Sequence, residues 1–437
     1  MNQGMKSRKL KILESVLRLM ATVVLKRHNP IVIGITGSVG KTSAKEAIHL
    51  VLSKKFKVRK SEKNYNNEIG IPLTIIGAET GGRSLFLWAG VFLKWLYVII
   101  FHVKYPQVII LELGIDRPGD MKYLASFVRP SIGVVTNVSS SHIEFFGSLE
   151  KIAREKGVLV ENLPSNSFAI LNADDPNVME MEKRTRANVL TYGFSEAAMF
   201  RADVIVYNYD DNQKPDGISF KLDHEGSNIP VRLRHILAPH QIYSALSAIA
   251  LGTTFKINIL DAAIALEEFR SPQGRMNLLP GIKNTHLIDD TYNASPVSTL
   301  AALEVLDKLG AKRKIAVLGD MLELGEEAEN GHRQVCKKVA EIDADIFVVV
   351  GKRMKKAAKE VSNFGFPEKK VFVFDDPESA GRKVQEIMHE GDLVLVKGSQ
   401  GMRMEKIVEE IMAEPLRAQK LLCRQSKDWK KIGFAKP

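Results

Sequence analysis

The stretch GITGSVGKTSAKE, residues 34–46, gathers the residue types that hold phosphate. The commonest phosphate loop reads G-x-x-x-x-G-K-[ST]. Setting its G-K on Gly40 and Lys41 puts the first glycine at position 35, which is Ile35; the glycines stand at Gly34 and Gly37 instead. A phosphate cradle nevertheless needs only inward-facing backbone N–H groups, the N-terminus of a following helix, and a cation. Thr36, Gly37, Ser38, Val39, Gly40, Lys41, Thr42 and Ser43 can supply all three. Gly37 and Gly40 let the backbone come close, Lys41 can reach terminal phosphates, and the Thr42 hydroxyl can bind Mg²⁺. An ordinary glycine turn is the alternative. The strand-like run IVIGITG before the loop and the helix-like KTSAKEAIHLVLSKK after it argue against that.

A magnesium nucleotide needs acidic help from elsewhere in the chain. In an open parallel sheet, ligand groups lie at the carboxyl ends of strands. Glu112 lies at the end of QVIILEL (107–113), and His142 follows IGVVTNV (132–138) within a few residues. Both can therefore reach the edge that carries the loop. Alone, either has a structural reading as a cap, an ion-pair partner or a core histidine; their joint placement favours a metal site.

The elements that must position these groups alternate. QVIILEL, IGVVTNV and FAILN (168–172) are buried-strand runs with helical segments between several of them, which predicts a mainly parallel sheet covered by helices. Short alternating segments over 200–235, such as ISFKLDH, predict an antiparallel flap, and QIYSALSAIALG a helix. After SPQGRM (271–276) the rhythm restarts with THLIDD, KIAVLGD, DIFVVVG, VFVFDD and DLVLVKG. The expected fold is α/β: a P-loop domain over 31–270 followed by a Rossmann-like domain over 271–415. A basic amphipathic helix within 1–30 and a basic tail over 416–437 flank them. In RKLKILESVLRLMATVVLKR (8–27), Leu10, Leu17, Met20 and Val24 recur at helical spacing, and Pro30 closes the helix.

One segment stands apart. LFLWAGVFLKWLYVIIF (85–101) is apolar except for Lys94. It is marginal in length for a membrane span, and a span between two core strands would pull the domain through the bilayer. It reads either as a buried helix or as an interfacial helix or hairpin touching a membrane beside the basic N-terminal helix.

Composition sets the frame. The 437 residues are 45% apolar and 26% charged, as in soluble globular proteins, and suggest roughly two to four domains. Cys336 and Cys423 form neither metal-type spacing nor a disulfide framework, so a reducing cytoplasm is expected. No cleavable signal pattern is present. The net charge of +11 is concentrated toward the two ends and suits a nucleotide, a nucleic acid or a membrane surface, or merely solvated termini.

With these residues in view, the chain resembles the Mur ligase family, whose loop reads T-G-x-x-G-K-[ST]. The resemblance continues through NYNNEIGIPLT (64–74), LELGIDRPGDMKYL (111–124), TNVSSSHIEFFGSLEKIAREKG (136–157), ILNADD (170–175), DDTYNASP (289–296), LGDMLELG (318–325) and VKGSQGMRME (396–405). It spans roughly residues 31 to 412. It implies cell-wall precursor synthesis, in which ATP phosphorylates a substrate carboxylate, an amine attacks the acyl phosphate, and phosphate leaves. LGDMLELG and DDTYNASP point to the branch that adds D-alanyl-D-alanine to a UDP-N-acetylmuramoyl tripeptide. By the same resemblance, Lys41 and Thr42 hold ATP and Mg²⁺, Glu112 and His142 are magnesium ligands, and Lys156 is the lysine that CO₂ carbamylates to support the metal. Arg275 is directed at the γ-phosphate, and Asp290, Tyr292 and Asn293 lie near ribose and adenine. Asn66 and Asn67 face substrate, and Lys397 and Ser399 lie near the incoming amine.

The departures from the family pattern are specific. PHQIYSAL has His240, Gln241 and Ser244 where relatives carry His-Asn and a later Asn; Gln241 keeps an amide for adenine with one more methylene. KGSQGM has Gln400 where arginine is frequent. Relatives carry about a hundred residues ahead of the loop that grip the UDP group; here about 30 residues precede it, too few for an independent fold. The UDP-sugar is then expected to be held differently, by a partner domain, or replaced by another carboxylate, including a membrane-linked one. A folylpolyglutamate-synthetase-like ligase is the alternative enzyme; LGDMLELG counts against it. A basic non-enzymatic binding module explains the charge but not the motifs. No nucleic-acid partner and a monomer are expected, cytoplasmic or peripheral at the membrane's inner face.

Overall fold

The computed structural model describes residues 8–62, 65–82, 84–139, 143–211, 214–342 and 344–435. It divides into two compact units: residues 1–205, 220–232 and 240–269 form the first, and 206–219, 233–239 and 270–437 the second.

The strands before residue 240 are β1 (Ile31–Thr36), β2 (Val58–Lys60), β3 (Val108–Glu112), β4 (Ile132–Val135), β5 (Phe168–Asn172), β6 (Asn188–Gly193), β7 (Phe200–Tyr209), β8 (Pro215–His224) and β9 (Ser227–Leu233). They form one sheet in the order β2-β3-β1-β4-β5-β6-β7-β8-β9, and every pair from β2 to β6 is parallel. Strands covered on both faces read as continuous Val/Ile/Leu runs, and β3 and β4 are buried along their whole lengths. The chain runs from β1 to β3 on one side and then to β4 on the other, so the crevice above β1 is a topological switch point, where open α/β sheets bind ligands. Register aligns Ile35 with Glu112 and Thr36 with Val135. The end of β1 therefore lies beside the candidate acid.

Among the described residues, five helices precede β4 in the chain: α1 (Arg8–His28), α2 (Lys41–Ser53), α3 (Gly70–Ile76), α4 (Leu85–Ile100) and α5 (Asp120–Val128). Leu17, Met20, Ala21 and Val24 bury α1 in the same apolar cluster as Ile71, Leu111 and Leu124. The basic helix is thus integral to the unit. In α4, Val91 and Val98 are buried and Trp88, Trp95 and Ile99 pack on that cluster. Its opposite side, including Leu85, Phe86, Leu93, Tyr97 and Ile100, faces solvent, so a fully buried helix is not what forms there. No helix among the described residues is long and apolar enough to cross a membrane.

The second unit holds β10 (Asn277–Gly281), β11 (Thr285–Asp290), β12 (Arg313–Gly319), β13 (Ile346–Val350), β14 (Val371–Phe374) and β15 (Asp392–Lys397), in the order β10-β11-β15-β12-β13-β14. All pairs are parallel except the β10–β11 hairpin. Sequence patterning misses β10 because Pro280 and Gly281 read as a turn; an edge strand tolerates both. The basic residues after Pro415 belong to a folded segment. Leu422, Cys423 and Arg424 are buried. Arg403 and Arg424 both pair with buried Glu405, at 2.6 and 2.9 Å.

Candidate active site

The loop after β1 is shaped by backbone that glycine permits. Gly37 has φ +147°, and a Cβ there would lie 1.9 Å from Thr136 Oγ1; Gly40 caps α2 with φ +85°. The loop is tied to the segment after β4. Ser38 N donates to Asn137 O at 2.8 Å, Val39 N to Asn137 Oδ1 at 2.7 Å, and Thr136 Oγ1 to Val39 O at 2.6 Å. Thr36, at the end of β1, donates through Oγ1 to Leu113 O at 3.0 Å. Ser43 is buried in the first turn of α2. The N-terminus of α2 thus opens at a pinned loop, the arrangement that receives an anion. Lys41 Nζ folds over it, 2.7 Å from Gly37 O and 3.3 Å from Ser38 O.

Glu112 joins this group. Thr42 Oγ1 donates to Glu112 Oε2 at 3.1 Å, and Asn66 Nδ2 to Oε1 at 3.4 Å. Lys45 Nζ lies 3.7 Å from Oε2 and donates to Ser61 O at 2.9 Å. A hydroxyl and a carboxylate oxygen 3.1 Å apart are hard oxygen donors suited to Mg²⁺. Lys45 is the residue that sequence reading overlooked. It is nearly fully buried, and a buried lysine requires a partner. The signal was present, since Lys45 falls one helical turn after Lys41 in KTSAK.

Gly37, Ser38, Lys41, Asn66, Asn67, Gly114, Ile115, Asp116 and Lys156 line one cleft. Lys156 projects from the helix Leu149–Glu161 and is buried. Burial, reinforced by the Lys41 charge, pulls its amine down to about 7, against the raising influence of Asp116 and Glu155. Asn67 turns inward to its own chain, accepting through Oδ1 from Gly70 N at 2.9 Å at the start of α3. His142 lies outside the described residues; of the other residues expected at the metal, Thr42 and Glu112 are bonded to each other and Lys156 lines the cleft beside Lys41. Among the described residues no cluster of three or more His, Cys, Asp or Glu side chains forms a metal site. Gln241 is buried in the 3₁₀ turn that leads into the helix Ile242–Thr254.

The second unit assembles its own polar group. Lys397, at the end of β15, is buried and reaches Asp290 Oδ2 at 2.5 Å and Asn293 O at 3.0 Å. Ser399 Oγ donates to Ala294 O at 3.2 Å and accepts from Leu322 N at 2.8 Å. Both residues brace the 290–294 segment, so neither presents an open side chain. The Arg275 guanidinium stacks 4.2 Å from the Tyr292 ring centre, and Asn293 is exposed. Arg424 braces the segment from behind, donating to Tyr292 O at 2.8 Å and to Thr291 O.

A pinned glycine loop at a switch point, a lysine above it and an acid beside its threonine define a P-loop nucleotide-binding α/β protein. Comparison with known proteins narrows the class. The Mur ligase middle domain matches residues 35–88 and 96–252, and the Mur ligase glutamate ligase domain matches 274–400. The UDP-N-acetylmuramoyl-tripeptide–D-alanyl-D-alanine ligase of Bacillus subtilis is 29% identical over 403 residues, 92% of this chain and 80% of that protein. The enzyme of the same name from Synechocystis is 30% identical, covering 88% and 75%. The crystal structure of the MurF ligase from Thermotoga maritima in complex with ADP superposes with TM-score 0.72 at 25% identity, over 96% of this chain and 88% of that one. The chain belongs to the Mur ligase family.

Proposed function

We propose that this Mur ligase uses ATP and Mg²⁺ to join D-alanyl-D-alanine to a UDP-N-acetylmuramoyl tripeptide, a step of peptidoglycan precursor synthesis. One observation carries the reading: the Glu112 carboxylate bonded to Thr42 in the first turn after a glycine cradle. Similarity to ligases bearing that name supports the substrates. In this reading Thr36–Ser43 cradle the phosphates, and Thr42, Glu112 and His142 hold the metal. Bound Mg²⁺ would neutralise charge on the phosphates. Lys41 stabilises charge building on the transferring phosphoryl group, which converts an unreactive carboxylate into an acyl phosphate. Asn66 beside Glu112 orients the acceptor. Gln241, Asp290, Tyr292 and Asn293 serve the nucleoside, Arg275 the γ-phosphate, and Lys397 and Ser399 shape the loop that meets the amine. Residues 31–270 supply the ATP-binding domain and 271–415 the second ligase domain. ATP chemistry and two free buried thiols suit a reducing cytoplasm.

Lys156 is proposed to carry a carbamate. An amine held near neutrality is partly unprotonated, so its nitrogen can attack CO₂, lose a proton and leave an anion beside the metal. With ¹³C-bicarbonate, a protein-bound carbamate signal is expected in the ¹³C spectrum and absent in Lys156→Arg. Its persistence in that variant would remove the assignment.

The activity test is ADP release by the full chain. Release is expected only with both UDP-muramoyl tripeptide and D-alanyl-D-alanine present, and Lys41→Met should lower it by about 10²-fold or more. ATP turnover indifferent to either substrate would overturn the reading. Turnover with a folate or glutamyl acceptor instead would select the folylpolyglutamate-synthetase-like alternative.

A further inference from the structure

We propose that the outward faces of α1 and α4 dock the first unit on the surface of an anionic bilayer. A helix that is apolar all round is ordinarily buried on every side. In α4, Lys94 is the only charged residue between Leu85 and Ile100, yet only the side bearing Trp88, Val91, Trp95 and Val98 meets the core. Phe86 is 88% and Leu93 64% exposed, and Leu85, Phe92, Tyr97 and Ile100 are exposed with them. On α1, Ile12, Val16 and Leu19 form a second exposed apolar stripe at helical spacing. The two helices are packed together. Trp95 Nε1 donates to Met20 O at 3.0 Å, and the His28 ring bonds Val98 O at 3.0 Å. The stripes therefore lie on adjoining helices, and exposed apolar surface on the scale of the α4 face marks an interaction site.

Charge and length select the partner. Lys11, Lys26, Arg27, Lys94 and Lys104 are exposed on or beside these helices, and the one acid in either helix is Glu14. Isologous pairing with a second copy would set like patch against like patch, and these cations against themselves. Anionic headgroups instead meet the cations while the acyl boundary takes the apolar side chains. At 16 residues α4 is about 24 Å long, short of the roughly 30 Å hydrocarbon core, so it lies in the interface and does not cross. Residues 89–95 of α4 also fall between the two stretches matched by the Mur ligase middle domain. The surface lies outside the proposed active site, so the docking claim stands or falls without the proposed activity.

Co-sedimentation of the full chain with phosphatidylcholine vesicles, with and without phosphatidylglycerol, tests it. Binding is expected at low salt to the anionic vesicles only, weakening as salt rises. Phe86→Ser/Leu93→Ser, which alters exposed side chains only, should lower the partition coefficient about tenfold or more with an unchanged circular dichroism spectrum. Lys26→Gln/Arg27→Gln should weaken binding and flatten its salt dependence. Absence of binding at low salt, equal binding to neutral vesicles, or indifference to the α4 substitutions would overturn the proposal. So would a dimer in light scattering that the α4 substitutions dissolve, which would assign the face to a second copy.

Discussion

At the scale of single residues, the buried acids divide by environment. Glu112 is surrounded by Thr42, Asn66 and Lys45. Asp289, one residue before the Lys397 partner, is fully buried, and burial raises its carboxyl to about 6 despite hydrogen bonds from Thr291. Its folded value thus lies above the ordinary 3.8. Below about pH 4 the group is protonated in both states. Between about pH 4 and 6 the folded state keeps a proton that the unfolded chain has released, so this contribution to stability is lost as pH rises. The loss is on the order of 3 kcal/mol. Asp289→Asn should remove that part of the pH dependence, measured as the difference between wild-type and variant urea-unfolding free energies across that window. A difference that stays constant with pH would show that Asp289 does not titrate there. The loop and Glu112 were legible in the sequence because motif and strand end point to them; Lys156 came only from the family resemblance, since by its own pattern it reads as a helix-surface lysine. Lys45 and Asp289 were not, because only burial distinguishes them from a surface lysine and a strand-end acid.

At the scale of elements, legibility follows how much of an element's pattern is set by its own burial. β3, β4 and β13 are buried on both faces and read as unbroken apolar runs. The N-terminal helix was equally legible, because its buried stripe of Leu17, Met20, Ala21 and Val24 follows helical spacing. Two elements defeated patterning for opposite reasons. β10 contains Pro280 and Gly281, and its edge position makes them harmless. α4 is too uniformly apolar for periodicity to say which side is buried; Val91 and Val98 are chosen by the core they meet. The segment after Pro415 has a basic composition that suggests solvated chain. What holds it is the Arg403–Glu405–Arg424 group, a long-range pairing that no local pattern announces. Removing one member of such a buried group strands the others, which is why charged residues can fasten a terminal segment.

At the scale of the whole molecule, the two compact units are interleaved along the chain. The strand rhythm restarts after residue 271, but the second unit also takes residues 206–219 and 233–239. Leu237 and Ala238 belong to its apolar cluster with Leu303, Phe347 and Leu395, and Tyr207 packs on it. Gly310 N donates to the Tyr209 hydroxyl at 3.2 Å, and His235 bridges to Arg270. A chain comprising only residues 270–437 would therefore have an incomplete core. Losing one buried leucine side chain alone costs about 2–5 kcal/mol, a large fraction of a domain's total stability. The amides of β12 and β13 should consequently exchange with deuterium at least about tenfold faster in the 270–437 fragment than in the full chain. Equal protection in both would mean that the second unit folds without its borrowed segments. The interleaving would then be a matter of chain route and not of stability.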